Sequence, residues 1–112
     1  MDSFSVTSER KGNITIVTVS GRVDSVTAAR LDDELAKFVH DNKQIVLDLN
    51  GVEYMSSAGI RAIAKALRSA EKAKGALKLA SISKNVTEVL ETVGMMQRMQ
   101  TYPTVDEAVA SF

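Results

Sequence analysis

The sequence has no cysteine, which removes a disulfide framework, a thiol nucleophile and thiolate metal sites. Its one histidine, His40, stands beside Asp41 at the far end of a helical stretch, a favourable place for a cation near the negative end of the helix dipole. The carboxylates lie along helix faces, as at Asp32, Asp33 and Glu34, without ligand spacing, so no metal is expected. There is no excess of either charge, because fourteen basic and fourteen acidic residues cancel. Without a global field, nucleic acid and anionic lipid are not expected partners. No apolar run approaches the ~20 residues of a membrane helix, and the opening MDSFSVTSERKG lacks the basic and apolar regions of a signal peptide. The expectation is a soluble cytoplasmic protein. A GxxxxGK[ST] phosphate loop is missing too, and each of the six glycines has a turn or cap explanation, so no cofactor is expected.

What is present is a regular alternation of strand and helix patterns over 112 residues, the length of one domain, residues 1–112. The stretch IVLDLNGVEYMSSAGIR, Ile45 to Arg61, organises the rest. Ile45 to Leu49 reads as a buried strand covered on both faces, and Asn50-Gly51 reads as the turn that ends it. Beyond Met55, Ser56-Ser57-Ala58-Gly59 precedes Ile60, Ile63, Ala64 and Leu67, the i, i+3, i+4, i+7 spacing of an amphipathic helix. A serine pair therefore sits at a helix start. Unpartnered amides and the helix dipole would receive an anion on Ser57 there; equally, Ser56 or Ser57 can serve simply as the N-cap.

Around that stretch, Phe4 to Glu9 alternates as a half-exposed edge strand, and Arg10-Lys11-Gly12-Asn13 turns it into the β-branched run Ile14 to Val19 as an antiparallel hairpin closed by Gly21. Asp24 or Ser25 can cap a helix with Ala28, Leu31, Leu35, Phe38 and Val39 inward. The helix after the serines shows Arg61, Lys65, Arg68 and Lys72 to solvent and stops at Gly75 as its C′ glycine. Leu77 to Ile82 is a further strand, Ser83 caps a helix that stops at Gly94, a short strand lies near Met99 to Tyr102, and Thr104 opens a last helix with the spacing of a capping box. Right-handed crossovers then give a mostly parallel sheet whose functional groups gather at the strand carboxyl ends, where the Gly51 to Gly59 and Gly21 to Ser25 segments would share one surface.

Three chemical readings compete for these residues. A serine hydrolase would need a base near Ser57, yet His40 is the lone histidine and no GxSxG elbow is present. A receiver domain accepting phosphate on Asp48 would need an acidic pair after the first strand and a lysine after a late one, and neither is found. Met95, Met96 and Met99 offer either an adaptable partner surface or gap-filling core.

The order of elements, with SGRVDSVTAARL, IVLDLNGVEYMSSAGIRAI, the Ser83 to Gly94 helix and the closing YPTVDEAV, resembles the STAS domain, specifically the small stand-alone anti-sigma factor antagonists of bacteria. The resemblance implies an α/β fold with a mostly parallel four- to five-stranded sheet, an N-terminal antiparallel hairpin and about four helices. It also implies a non-enzymatic phosphoprotein that regulates transcription by partner switching. Unphosphorylated, such a protein binds an anti-sigma factor that is also a serine kinase; phosphorylation of the loop serine breaks the complex, and a metal-dependent serine phosphatase restores it. That serine falls on Ser57, with Ser56 as the alternative acceptor, because Ser56 stands where many relatives carry aspartate. Partner contact is implied for Gly21, Asp24, Ser56, Ser57, Ala58, Gly59 and Arg61. The alternative role is a STAS interaction module of another partner-switching or scaffold assembly without a sigma factor.

Overall fold

The computed structural model describes residues 4–112. The chain runs β1 (Ser5–Lys11), β2 (Ile14–Val23), α1 (Ser25–Asp41), β3 (Gln44–Met55), α2 (Ser57–Lys72), β4 (Ala76–Ala80), α3 (Lys84–Thr92), a 3-10 turn (Met96–Arg98), β5 (Thr101–Tyr102) and α4 (Val105–Ala110). The five strands form one sheet in the order β1-β2-β3-β4-β5; only the β1–β2 pair is antiparallel. This is the α/β architecture expected from the sequence, hairpin and four helices included. Lys11 pairs with Ile14, leaving Gly12-Asn13 as a two-residue turn with Gly12 at φ +63°, the conformation that glycine admits most readily in a tight hairpin.

The two sheet faces are not covered alike. Val17, Val19, Ile45, Leu47, Leu49, Leu77 and Leu79 join Leu31 and Leu35 of α1, Ile63 and Leu67 of α2 and Leu90 of α3 in the main core. Each large side chain fully buried there contributes about 1.5–3 kcal/mol relative to exposure, which fixes these helices to that face. On the other face, among the described residues, only α4 packs, laying Ala108 against Ile14, Ile16, Val46 and Ala80. The expectation of cover on both faces of β3 therefore holds for Val46 but not for Asp48. Asp48 is half-buried and its Oδ1 accepts the Asn50 amide at 3.0 Å.

Asn50-Gly51 does not end β3 as its turn chemistry suggests. The strand continues to Met55 and pairs with β2 through Ser20–Gly51, Gly21–Val52, Arg22–Tyr54 and Val23–Met55, with register shifts on either side of Ser20-Gly21. Gly51 is needed for close approach, since a Cβ there would lie 2.8 Å from the Ser20 Cβ. Gly21, at φ +96°, marks the end of hairpin pairing, after which β2 pairs with β3 alone.

Gly75 is likewise not the left-handed residue after α2. Lys74 takes that conformation (φ 62°), while the Lys74 amide donates to the Glu71 carbonyl at 3.0 Å and the Gly75 amide to the Ala70 carbonyl at 2.7 Å, the paired bonds of a Schellman ending. Gly94 does follow the expected pattern, at φ +73°. Of the methionines, Met99 is buried, and Met95 and Met96 are half-buried against the main core.

Candidate functional site

Two strands end side by side and each passes into a helix through a single residue. Val23 of β2 is paired with Met55 of β3; Asp24 follows the first and Ser56 the second. Both linkers are helix caps. Oδ1 of Asp24 accepts the Val26 amide at 2.9 Å and the Thr27 amide at 3.0 Å, while Thr27 Oγ1 accepts the Asp24 amide at 2.9 Å. The bond from the Thr27 amide is the main cause that holds the Asp24 carboxyl below its usual range, helped by the Val26 amide, the Thr27 hydroxyl and the Arg22 charge and opposed by desolvation. An ionised cap is what the unpartnered amides of α1 favour.

At the neighbouring strand end, the Ser56 amide donates to the Val23 carbonyl at 2.8 Å, and Ser56 Oγ accepts the Gly59 amide at 3.3 Å. Ser56 is thus the N-cap, half-buried and engaged, which resolves the choice that the sequence left open. Ser57 is the first residue of α2 and is exposed. Its own amide and that of Ala58 lie in the first turn, where no helical carbonyl can reach them. The Ser57 side chain is therefore presented at the positive end of a helix dipole without being used to build the helix.

Gly59 allows this geometry. A Cβ on it would stand 2.7 Å from Val23 Cγ1 and 2.8 Å from Met55 Cγ, so the first turn of α2 can lie directly over the paired strand ends only because that position has no side chain. From the other side, the Met55 amide donates to Asn85 Oδ1 at 3.2 Å. β3 outruns β4, which pairs only as far as Asp48, and the side chain of Asn85 at the start of α3 supplies the acceptor that a neighbouring strand would otherwise provide. The sequence reasoning missed Asn85, because no local signal marks it.

The structure brings the sequence-predicted residues together. Asp24, Ser56, Ser57, Ala58 and Gly59 surround the two helix starts, and Arg61 sits one turn along α2. Gly21 lies two residues before Val23 in the part of β2 that faces β3 alone. A groove of about 310 Å³ separates α1 from α2, with Ser25, Ala28, Ala58 and Arg61 among its walls. Lys65 Nζ crosses it to Asp32 Oδ2 at 3.3 Å. Val26, in the first turn of α1, is 73% exposed, an apolar side chain left to solvent beside the caps. Arg22 stacks over the Tyr54 ring at 4.6 Å on the adjoining strand ends.

The competing chemistries do not gain from this arrangement. His40 is exposed, bonded to Asp41 at 3.0 Å, and lies fifteen residues beyond Ser25 on α1. At 1.5 Å per residue that is about 22 Å from the end of α1 that borders Ala58. Asp48 is inside β3 rather than at its carboxyl end, away from the loop where a receiver would hold phosphate. Among the described residues no group of three or more His, Asp or Glu side chains could hold a metal ion, and no helix is long and apolar enough to cross a membrane.

Comparison with known proteins gives a consistent picture. The family model for the STAS domain matches residues 5–108. BtrV of Bordetella bronchiseptica, which bears the name of an anti-sigma factor antagonist, is 30% identical over 108 residues, covering 96% of this chain and 93% of its own. Among solved structures, an anti-sigma factor antagonist from Mycobacterium paratuberculosis superposes with a TM-score of 0.86 at 26% identity, covering 98% of this chain and 94% of that one. The unphosphorylated anti-sigma factor antagonist SpoIIAA shares the fold, with a TM-score of 0.79 at 17% identity over 97% of this chain and 95% of that one.

Proposed function

The chain belongs to the STAS domain family, and from that premise we propose that it is an anti-sigma factor antagonist switched by phosphorylation of Ser57. Unphosphorylated, it binds a serine-kinase-type anti-sigma factor through the strand ends and helix starts around Gly21, Asp24, Ser56 to Gly59 and Arg61. Phosphate on Ser57 ends that binding, and a serine phosphatase restores it. The protein acts in the cytoplasm by binding, without catalysis of its own.

The observation that carries this reading is the division of labour within the serine pair. Ser56 is engaged as the cap of α2, while Ser57 is exposed at the first helical position. A phosphate on Ser57 adds about −1.5 to −2 charge near neutral pH at a helix end that tolerates it, so the fold survives. The same charge, placed in a closed interface, must be desolvated and repels acidic groups of the partner. Release without unfolding is what a reversible regulator requires. The names of BtrV and of the Mycobacterium paratuberculosis protein support the antagonist role, and SpoIIAA of Bacillus, which shares the fold, has a phosphorylated form.

The test is incubation with the cognate anti-sigma factor kinase and ATP, followed by phosphopeptide mapping and a binding measurement. The reading expects modification at Ser57 and loss of the complex. Modification at another residue, or a phosphorylated chain that still binds, would overturn it.

A further inference from the structure

The sheet face away from the main core holds a cation without an anion. Lys78 of β4 is only 8% exposed, and among the described residues no carboxylate lies within ion-pair distance of it. What closes over it is the end of α4. Lys78 Nζ donates to the Ser111 carbonyl at 3.0 Å and to Ser111 Oγ at 2.8 Å. The Phe112 ring lies 4.2 Å from the same nitrogen and the Tyr102 ring 5.7 Å. Ser111 Oγ itself donates to the Ala108 carbonyl at 2.6 Å, which leaves its lone pairs for the ammonium. An ammonium withdrawn from water needs its donors matched. A carbonyl at the negative end of a helix, a hydroxyl oxygen and an aromatic face supply that match.

Little else holds α4 in place. Its six residues are too few for a helix that is stable by itself. Ala108 is its one buried residue, with Val105 and Val109 half-buried beside it, and no residue of α4 joins the main core. Among the described residues, no backbone hydrogen bond runs from residues 104–112 to another element. The Lys11–Asp106 pair, at 3.7 Å, is exposed on both sides, where such pairs contribute little.

We propose that α4 is a strap that opens as a unit while the main core stays folded, and that Lys78 is its lock. The lock works through matching. Closed, the strap satisfies the buried ammonium; a strap whose end cannot do so would trap an unmatched charge and is driven open. Opening uncovers Ile14, Ile16, Val46 and Ala80 and returns Lys78 to water, so this sheet face has a closed and an open state. The device is separate from the serine pair and stands whether or not Ser57 is a switch.

The test is native-state hydrogen exchange of the full chain at urea concentrations below global unfolding. The Ala108 and Val109 amides should exchange faster than those of Val46 and Leu47, by an opening that urea hardly affects. A Ser111→Ala, Phe112→Ala double variant, both changes at exposed positions, should speed α4 exchange by about tenfold or more and leave Val46 and Leu47 unchanged. Lys78→Met keeps the apolar stem and removes the charge; in that background the same two changes should alter α4 exchange by less than about threefold, since no buried cation is left to match. Three outcomes would overturn the proposal. They are α4 amides that exchange only together with Val46 and Leu47, an effect of the double variant that is as large with Lys78→Met as without it, and α4 exchange that depends on protein concentration, as for a helix traded between two copies.

Discussion

The backbone amide of Met55 donates to the side-chain carbonyl oxygen of Asn85 at 3.2 Å, so α3 holds the end of β3 from one side while the Val23 carbonyl holds Ser56 from the other at 2.8 Å. The segment that delivers the serine pair is therefore fixed at two successive amides. Asn85→Ala leaves the part-buried Met55 amide without its acceptor, at a cost of about 1–3 kcal/mol. Urea denaturation should show that loss, and hydrogen exchange should show a faster Met55 amide. Unchanged exchange at Met55 would mean that Asn85 does not anchor the loop.

The two serines should separate cleanly in mutagenesis. Ser56→Ala removes the acceptor for the Gly59 amide and should cost about 1 kcal/mol. Ser57→Ala removes only an exposed hydroxyl and should stay within about 0.5 kcal/mol of wild type. Under the proposed switch, Ser57→Ala also abolishes modification by the kinase, whereas Ser56→Ala does not. The same denaturation series and a phosphate-incorporation assay check both halves.

Gly59→Ala introduces a methyl group 2.7 Å from Val23 Cγ1. Relief requires α2 to lift from the strand ends or Val23 to move, and overpacking of that kind costs about 1–3 kcal/mol. The thermal midpoint should fall, and the amide signals of Val23, Met55 and Ser57 should shift together. A variant as stable as wild type would show that the helix start has slack.

Asp24 gives a pH signature. Its carboxyl is held below the ordinary aspartate value of 3.8, chiefly by the Thr27 amide. A depressed folded value means that its contribution is present above the unfolded pKa and is lost as pH falls through the folded one. Asp24→Asn should thus be less stable than wild type at neutral pH, with the gap closing as the solution is taken below that ordinary value. A gap independent of pH would show that the charge of Asp24 adds nothing to its capping.

The order of the elements was legible in the sequence because each helix carries its own cap and stripe. Ser83, whose Oγ accepts the Val86 amide at 3.2 Å, and Thr104, whose Oγ1 accepts the Glu107 amide at 3.1 Å, are read directly from residue type and spacing. What was not legible depends on distant partners. Asn50-Gly51 has turn chemistry, but Ser20 on β2 approaches so closely that the glycine serves a continuous strand. Asn85 looks like any polar residue in a first helical turn until β3 is seen to outrun β4. The uneven helical cover of the two faces, which leaves Asp48 half-buried in mid-strand, cannot be read from an apolar run alone. At the site, residue type located the serine pair, and only the hydrogen bond from Gly59 distinguished cap from exposed hydroxyl.

The most direct measurement is the affinity of the cognate anti-sigma factor kinase for two forms of this chain, one unmodified and one carrying phosphate on Ser57, by titration calorimetry at fixed salt. The account predicts that both forms are folded and that phosphate weakens binding by at least about tenfold, a difference of about 1.4 kcal/mol or more. Equal affinities for two equally folded forms would contradict it.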